Sequence, residues 1–263
     1  MGEMAMAERN ATGVKYNFSG KSAIVTGGAS GIGRVIALAL ARQGATVVVA
    51  DINLADAEET IRRIEAAGGT GVFFRADVSR EEEVKNLVAF TVERCGKLDF
   101  ACNDAGITSP QMPIVEFSKD WWDRVVAVNM TGVFLCLKHE LQQMLKQGSG
   151  SIVNIASAAS FIGSPGMAAY SASKHGVMGL TKTAALEVAR KGVRVNAVAP
   201  GLVNAGLTDT SPREWVERAA AAQPMGRMAE AEEIAAVVLW LCSDDSSYVL
   251  GHTLPVEGGF TIH

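Results

Sequence analysis

The chain has 263 residues, a length that suits one large domain or two small ones, and 48% of its residues are hydrophobic while only 6% are aromatic. With 27 glycines, this composition is typical of a globular α/β protein and excludes a disordered chain. The net charge is −4 and no cluster of lysine or arginine occurs, which argues against a nucleic-acid partner because phosphate backbones bind basic surfaces.

Three further properties follow from simple sequence patterns. No apolar run approaches the length of a membrane-spanning helix, so we expect no membrane partner. Residues 1–17 lack the apolar core of a secretory signal, and we expect them to be a flexible extension of a cytoplasmic protein. The four cysteines and four histidines show no metal-like spacing, so we expect free thiols and no metal site.

Strand-like and helix-like segments alternate along residues 18–263, which predicts a single domain. In chain order, the predicted segments are strand Ser22–Thr26, helix Arg34–Gln43, strand Thr46–Ala50, helix Leu54–Ala67, strand Gly71–Ala76, a helix opened by a capping box at Ser79–Glu82 and ending near Cys95, strand Leu98–Cys102, helix Lys119–Lys146, strand Ser151–Ala156, helix Ala168–Arg190, strand Val193–Val198, helix Pro212–Gln223, helix Glu230–Cys242 and strand Thr253–Val256. This alternation predicts the α/β class, with one doubly wound parallel sheet (Rossmann fold) and helices on both faces.

A glycine-rich turn, Thr26–Gly33, connects the first strand to the first helix. The backbone N–H groups at the start of a helix lack partners within the helix and lie at the positive end of its dipole, so they suit a pyrophosphate. Glycines serve there because a side chain would block the close approach of backbone to phosphate. The placement after a strand and before a helix therefore indicates a dinucleotide site.

Asp51 closes the second strand, where a carboxylate can accept hydrogen bonds from both hydroxyls of an adenosine ribose. The same carboxylate would repel a 2′-phosphate, and neither the glycine turn nor residues 52–53 supply a compensating cation. We therefore predict NAD rather than NADP as cofactor. The alternative is that Asp51 caps the helix that begins at Leu54. Asp77, which ends the third strand, suits either the adenine edge or a cap of the next helix.

Tyr170 and Lys174 lie four residues apart in a predicted helix, so their side chains share a face. A phenol has an ordinary pKa of about 10. A neighbouring ammonium stabilises the phenolate and is expected to lower that pKa toward the range useful for acid/base catalysis.

Two further polar residues stand at informative positions. Ser157 lies just past the fifth strand, where its hydroxyl can bond a substrate oxygen beside the tyrosine, although most loop serines only satisfy backbone groups. The alternatives nearby are Ser151, Ser160 and Ser164. Asn129 lies in the middle of a long helix although asparagine is a poor helix former, which indicates either a functional role or a bond to the backbone.

Together these motifs resemble the short-chain dehydrogenases/reductases of roughly 250 residues. The resemblance extends over Phe18–Gly259 and includes, in family order, Thr26–Gly33, Asp51, Asp77, Asn103–Gly106, Asn129, Ser157, Tyr170, Lys174 and Pro200-Gly201. It implies an oxidoreductase that transfers a hydride between NAD(H) and a small secondary alcohol or ketone.

The resemblance also implies roles for individual residues. Tyr170 is the acid/base, Lys174 lowers its pKa and holds the nicotinamide ribose, and Ser157 anchors the substrate oxygen. Asn129 supports a water-linked proton path. The implied cofactor-binding residues are Gly27, Ser30, Gly31, Ile32, Gly33, Asp51, Asp77, Val78, Asn103, Ala105, Gly106, Tyr170, Lys174, Pro200, Gly201 and Val203. A homotetramer is implied as well, with interfaces on the helices of residues 119–146 and 168–190 and near residues 251–263.

Two positions depart from the family pattern. Asp104 replaces the second asparagine of an Asn-Asn-Ala-Gly segment, and Ala205 replaces a threonine expected after Pro200-Gly201, for which Asn204 or Thr208 is the candidate substitute. Two alternative functions remain open. An NADP-dependent ketoreductase, for example on acyl carriers, is disfavoured by Asp51. A nucleotide-binding protein without turnover would need neither reactive side chain of the tyrosine–lysine pair.

Overall fold

Seven strands form one parallel sheet in the part of the chain that the computed structural model describes, residues 15–205 and 213–262. They are β1 (Ser22–Thr26), β2 (Thr46–Asp51), β3 (Thr70–Arg75), β4 (Phe100–Asn103), β5 (Gly150–Ile155), β6 (Val193–Pro200) and β7 (Thr253–Val256). Their order across the sheet is β3-β2-β1-β4-β5-β6-β7. The order reverses between β1 and β4, and the carboxyl ends of strands beside such a reversal flank the crevice where ligands bind.

Helices cover both faces of this sheet. They are α1 (Gly31–Arg42), α2 (Leu54–Ala66), α3 (Glu81–Cys95), α4 (Lys119–Val126), α5 (Gly132–Gln147), α6 (Ala168–Val188), α7 (Arg213–Ala221) and α8 (Ala231–Cys242). One apolar core joins α1, α2 and α8 to the sheet, and a second joins α3, α5 and α6 to the opposite face. The predicted α/β class and doubly wound parallel sheet are confirmed.

The buried strands show why periodicity identified them. Within β1, Val25 belongs to the first core and Ile24 to the second, and both are fully buried. A strand that is covered on both faces needs apolar side chains at every position, so it is read in the sequence as a continuous apolar run. The central strands therefore agree with prediction to within one or two residues.

Three local predictions are wrong. The capping box at Ser79–Glu82 does not form: the helix begins at Glu81 after Arg80, which makes no side-chain cap, and the Ser79 hydroxyl donates to Asp77 Oδ1 at 2.7 Å. The fourth strand begins at Phe100 rather than Leu98, because the Gln147 side chain binds both backbone groups of Leu98. The helix predicted over 119–146 is interrupted by a π-helical segment, Ala127–Thr131.

Two sequence predictions fall partly beyond the described residues. Residues 1–14 of the predicted flexible extension lie outside them, whereas the Tyr16 backbone N–H donates to Gln43 Oε1 at 2.8 Å and its ring stacks on Phe18. Residues 206–212, which include Thr208 and the predicted start of a helix at Pro212, also lie outside the described part.

A buried carboxyl group lies beneath the centre of the sheet, on α5. The Asn103 Nδ2 donates at 3.0 Å to both Glu140 Oε2 and Asn154 Oδ1, and the Asn154 Nδ2 donates to Thr181 Oγ1 at 3.0 Å. Burial raises the pKa of Glu140 to about 7, and the hydrogen bond from Asn103 opposes the rise. Since a carboxyl in the unfolded chain has a pKa of about 4.3, the folded protein binds a proton that the unfolded chain releases.

We expect Glu140→Gln to reduce the pH dependence of stability. Because the pKa is higher in the folded state, this group's stabilising contribution is present below the unfolded pKa and is lost as pH rises toward about 7. The loss between pH 5 and pH 8 corresponds to about 2–3 kcal/mol, which glutamine cannot lose because it does not titrate. Urea unfolding of both proteins at the two pH values measures the difference.

The matched control is Glu93→Gln, since Glu93 is exposed on α3. That variant should lose as much stability between the two pH values as the unaltered protein. If Glu140→Gln also lost as much, Glu140 would not be the buried titrating group.

Candidate active site

The turn between β1 and α1 packs against the loop that follows β4. A Cβ atom added to Gly27 would lie 2.9 Å from both the Cα and the N of Ala105, and Gly27 has a φ of 69°. The Thr26 hydroxyl accepts hydrogen bonds from the backbone N–H groups of Asp104, at 3.2 Å, and Ala105, at 3.3 Å. The turn is therefore closed tightly at its base, as a glycine at this position allows.

The start of α1 has the properties of an anion site. Ser30 is the residue before the helix and makes no side-chain cap hydrogen bond, and the first turn contains no acidic residue. Gly31 has a φ of 53°, which a side chain would disfavour. Together with the close-packed Gly27, this cradle of backbone N–H groups fits a pyrophosphate.

The carboxylate of Asp51 is fixed beside this turn. Its Oδ2 accepts from the Ala29 backbone N–H at 3.1 Å, and its Oδ1 accepts from the Asn53 N–H at 3.0 Å. The cap of α2 is Asn53, whose side chain accepts from the Asp56 N–H. The alternative interpretation of Asp51 as the cap of that helix is therefore wrong.

Arg34 is a cation near the turn that sequence reasoning missed, although its position directly after the glycine motif was a signal. Its Nε donates to Thr60 Oγ1 at 2.9 Å, and its guanidinium donates to the Ala29 carbonyl. One of its nitrogens lies 4.0 Å from the Asp56 carboxylate. The guanidinium is thus engaged within the protein between α1 and α2.

Ser157 follows β5 and begins a short 3-10 turn. Its Oγ accepts from the Ala159 N–H at 3.2 Å and is hydrogen-bonded to the phenol of Tyr170. Two of the alternative serines serve the backbone instead: the Ser151 hydroxyl donates to the Leu241 carbonyl, and the Ser160 hydroxyl donates to the Lys174 carbonyl. Ser157 is thus the serine of this group that the structure brings to the tyrosine.

Tyr170 and Lys174 lie on α6 beside the end of β5. The Lys174 ammonium is buried, donates to the Ile155 carbonyl at 2.7 Å, and lies 5.8 Å from the centroid of the Tyr170 ring. Burial lowers the pKa of Lys174 to about 8, and the nearby Asp104 carboxylate opposes this shift.

The pKa of Tyr170 is raised, the opposite of the direction that the sequence predicts. Burial is the main cause; the hydrogen bond with Ser157 lowers the pKa, and the Asp104 carboxylate raises it further. The ammonium of Lys174 is directed to the Ile155 carbonyl, and the phenol is exposed to the negative charge of the carboxylate as well.

Asn129 lies in the π-helical segment and pairs with the backbone of Ile107. Its Oδ1 accepts from the Ile107 N–H at 2.8 Å, and its Nδ2 donates to the Ile107 carbonyl at 2.9 Å. The Nδ2 also lies 3.4 Å from the Ser173 hydroxyl. The side chain thus fixes the loop after β4 to the helix that carries the tyrosine, which explains a poor helix former at this position.

Other predicted cofactor residues lie on the same edge of the sheet but differ in what their side chains do. The Asn103 side chain is directed to Glu140 and Asn154 beneath the sheet, so only its backbone is left to face the crevice. The Asp77 Oδ1 accepts from both the N–H and the hydroxyl of Ser79, in the turn before α3, and the next residue, Val78, is buried.

The segment after β6 is fixed by its backbone. The Gly201 N–H donates to the Val256 carbonyl at 3.0 Å, and Val203 forms an isolated parallel bridge with Ala229. The Asn204 side chain donates to Glu230 Oε2 at 3.3 Å, directly before α8. Pro200 ends β6 directly before this segment.

Within residues 15–205 and 213–262, no three His, Cys, Asp or Glu side chains are grouped as metal ligands. The helices of that same part include none both long and apolar enough to cross a membrane. The four cysteines are free thiols.

Comparison with known proteins identifies the family. A family model described as enoyl-(acyl carrier protein) reductase matches residues 27–261. A short chain dehydrogenase/reductase, astE, of Aspergillus oryzae is 47% identical over 254 residues, 94% of this chain and 97% of its own. A cyclohexanol dehydrogenase of Acinetobacter sp. is 42% identical over 245 residues, 93% of this chain and 96% of its own.

Comparison with solved structures supports the same family. A levodione reductase superposes with a TM-score of 0.90 at 38% identity, covering 94% of this chain and 99% of its own. A xylitol dehydrogenase with NAD⁺ bound superposes with a TM-score of 0.88 at 36% sequence identity, covering 92% of this chain and 99% of its own. An actinorhodin polyketide ketoreductase with NADPH superposes with a TM-score of 0.89 at 36% identity, covering 95% of this chain and 100% of its own. The chain belongs to the short-chain dehydrogenase/reductase family. It is an oxidoreductase of that family, acting on alcohol or ketone groups.

Proposed function

We propose that the protein transfers a hydride between NAD(H) and a secondary alcohol or its ketone, with Tyr170 as acid/base. The observation that carries the proposal is the grouping of Ser157, Tyr170 and Lys174 at the carboxyl end of β5. This edge of the sheet also holds the anion cradle at the start of α1. A proton-transfer group and a dinucleotide site on one edge are what a dehydrogenase requires.

The glycine turn would hold the pyrophosphate of the cofactor and Asp51 the adenosine ribose, with Lys174 at the nicotinamide ribose. When bound, the nicotinamide supplies the hydride acceptor or donor and, when oxidised, a positive charge. The Ser157 hydroxyl, fixed by the Ala159 N–H, orients the substrate oxygen toward the phenol.

Proton transfer is assigned to the phenol of Tyr170. Its raised pKa keeps the phenol protonated at neutral pH, which suits donation to a ketone oxygen in the reductive direction. In the oxidative direction the phenolate takes the proton of the alcohol, so this direction is favoured as pH rises. The Lys174 ammonium, one helical turn away, stabilises the phenolate when it forms.

NAD is proposed over NADP because of Asp51. The relatives with solved structures include one with NAD⁺ and one with NADPH, so similarity favours neither cofactor. The Asp51 carboxylate is fixed by two backbone N–H groups, and the neighbouring Arg34 is engaged with Ala29, Thr60 and Asp56. A 2′-phosphate at this ribose would therefore meet the Asp51 carboxylate, while the Arg34 guanidinium is already engaged within the protein.

An uncharged ring alcohol is the substrate class that we propose. The loop that follows Ser157, as far as Ala168, contains no charged residue and exposes the apolar side chain of Phe161. Its Gly166 carbonyl accepts from the Met112 N–H, so a second apolar loop lies against it. One relative is a cyclohexanol dehydrogenase, which supports the choice.

We also propose a homotetramer. Large apolar side chains are exposed on the two long helices that the family resemblance assigns to subunit interfaces: Phe134 and Leu145 on α5, and Leu186 on α6. Leu186 is 77% exposed, and burying it against a second subunit would remove this apolar surface from water.

We expect Tyr170→Phe to lower kcat by about 10²–10⁴-fold, because positioned acid/base groups contribute on that order. The measurement follows the absorbance of reduced cofactor during oxidation of cyclohexanol, with a wider panel of secondary alcohols beside it. Tyr248→Phe is the matched control, since Tyr248 is fully exposed, and it should retain full activity. Full turnover by Tyr170→Phe would overturn the mechanism.

We expect Asp51→Ser to reverse the cofactor preference. Loss of the carboxylate removes two hydrogen bonds to the ribose and the repulsion of a 2′-phosphate, so kcat/KM with NAD should fall by about tenfold or more while kcat/KM with NADP rises. Glu58→Ser, which alters an exposed carboxylate on the neighbouring helix, is the comparison variant and should keep the preference for NAD. A protein that already prefers NADP before substitution would contradict the assignment.

A further inference from the structure

We propose that Asp104 is a positioning residue that couples uptake of a proton by the protein to binding of the cofactor's diphosphate. The inference rests on the proposed dinucleotide site and goes beyond it, since the group involved touches neither substrate nor hydride. Asp104 is also the position at which the loop after β4 departs from the family pattern.

The geometry places this carboxylate against the helix that would bind the diphosphate. The backbone N–H of Asp104 donates to Thr26 Oγ1 at 3.2 Å, which pins the loop to the end of β1. The Asp104 side chain accepts a hydrogen bond from the backbone N–H of Gly33. A Cβ on Gly33 would lie 2.7 Å from Asp104 Oδ2, so glycine is what permits this approach. Since Gly33 lies in the first turn of α1, the carboxylate is held at the positive end of that helix.

The charged and titratable groups that face Asp104 come from three other elements. Lys174 and Tyr170 face it from α6, Asp51 faces it from the end of β2, and Cys102 precedes it on β4. Burial raises the pKa of Asp104 to about 7; Lys174 and the Gly33 N–H oppose this rise, and Asp51 adds to it. The carboxyl group is therefore positioned to change its protonation near neutral pH.

Binding of a diphosphate should shift the protonation equilibrium of Asp104 toward the protonated form. The ligand brings two negative charges to the start of α1, and like charges disfavour the carboxylate form. The pKa of Asp104 should therefore rise on binding, and the protein should take up a proton. The effect should be larger with NADH than with NAD⁺, because the oxidised nicotinamide carries a compensating positive charge near Lys174.

Thermodynamic linkage gives the size of the coupling between protonation of Asp104 and binding of NADH. If binding raises the pKa of Asp104 by about one unit, the affinity for NADH weakens about fivefold between pH 6 and pH 8. Under the same assumption, about half a proton is taken up per NADH near pH 7.5.

The first experiment is calorimetric titration with NADH at pH 7.5 in two buffers of different ionisation enthalpy. The unaltered protein should take up about half a proton, and Asp104→Asn, which keeps the size of the side chain, should take up clearly less. Glu140→Gln is the matched control: it removes another carboxyl whose pKa is raised to about 7, but on the other side of Asn103. That variant should behave like the unaltered protein.

The second measurement isolates Asp104 from Lys174, which faces it and whose pKa is lowered to about 8. Carbon-13 NMR of protein labelled at its aspartate carboxyls should show one resonance that titrates near pH 7, is missing in Asp104→Asn, and titrates about one unit higher with NADH bound. The shift with NADH is read on the unaltered protein, and if Asp104→Asn does not fold, Asp104→Glu, which keeps a carboxyl but carries no aspartate label, assigns the resonance.

The outcomes separate the two proposals. Absence of NADH binding overturns the proposed function and this inference with it. Binding of NADH with equal proton uptake in the unaltered protein and Asp104→Asn, or with an Asp104 resonance that NADH does not shift, overturns the inference alone.

Discussion

The active-site edge of this protein depends on one buried cation. The Lys174 ammonium is held by the Ile155 carbonyl at the end of β5, with the Tyr170 ring on its own helix and the Asp104 carboxylate across the crevice. A buried ammonium is costly unless it is paired, and its pKa is lowered as a result. The Asp104 carboxylate links the two other groups, because its charge raises the pKa of the Tyr170 phenol and opposes the lowering of the pKa of the Lys174 ammonium.

The sheet makes this arrangement possible by bringing distant segments to one edge. The reversal of strand order between β1 and β4 places the glycine turn beside the loop that contains Asp104 and Gly106. Asn129 then ties that loop, through Ile107, to the π-helical segment. The cofactor cradle and the proton-transfer pair are thus parts of one packed unit, so a change in the charge of one alters the electrostatic environment of the other.

The sequence was sufficient for those features that depend on local pattern. Strands buried on both faces appear as apolar runs, and the spacing of Tyr170 and Lys174 on one helix follows from helical geometry. Features that depend on contacts between distant residues were not predictable. The Gln147 side chain shortens the fourth strand by binding Leu98 across 49 positions of sequence, and Asn129 pairs with Ile107 across 22 positions. The pKa direction of Tyr170 was predicted wrongly because burial and Asp104 outweigh what the helix alone suggests.

The most direct test of the account is the ionisation of Tyr170, measured as the ultraviolet difference spectrum of phenolate during a pH titration with and without NAD⁺. We expect NAD⁺ to lower the pKa of one tyrosine, because the oxidised nicotinamide adds positive charge beside it. This signal should be absent in Tyr170→Phe and weaker in Lys174→Met. An unchanged tyrosine titration on binding of NAD⁺, or the same change in Tyr170→Phe, would contradict it.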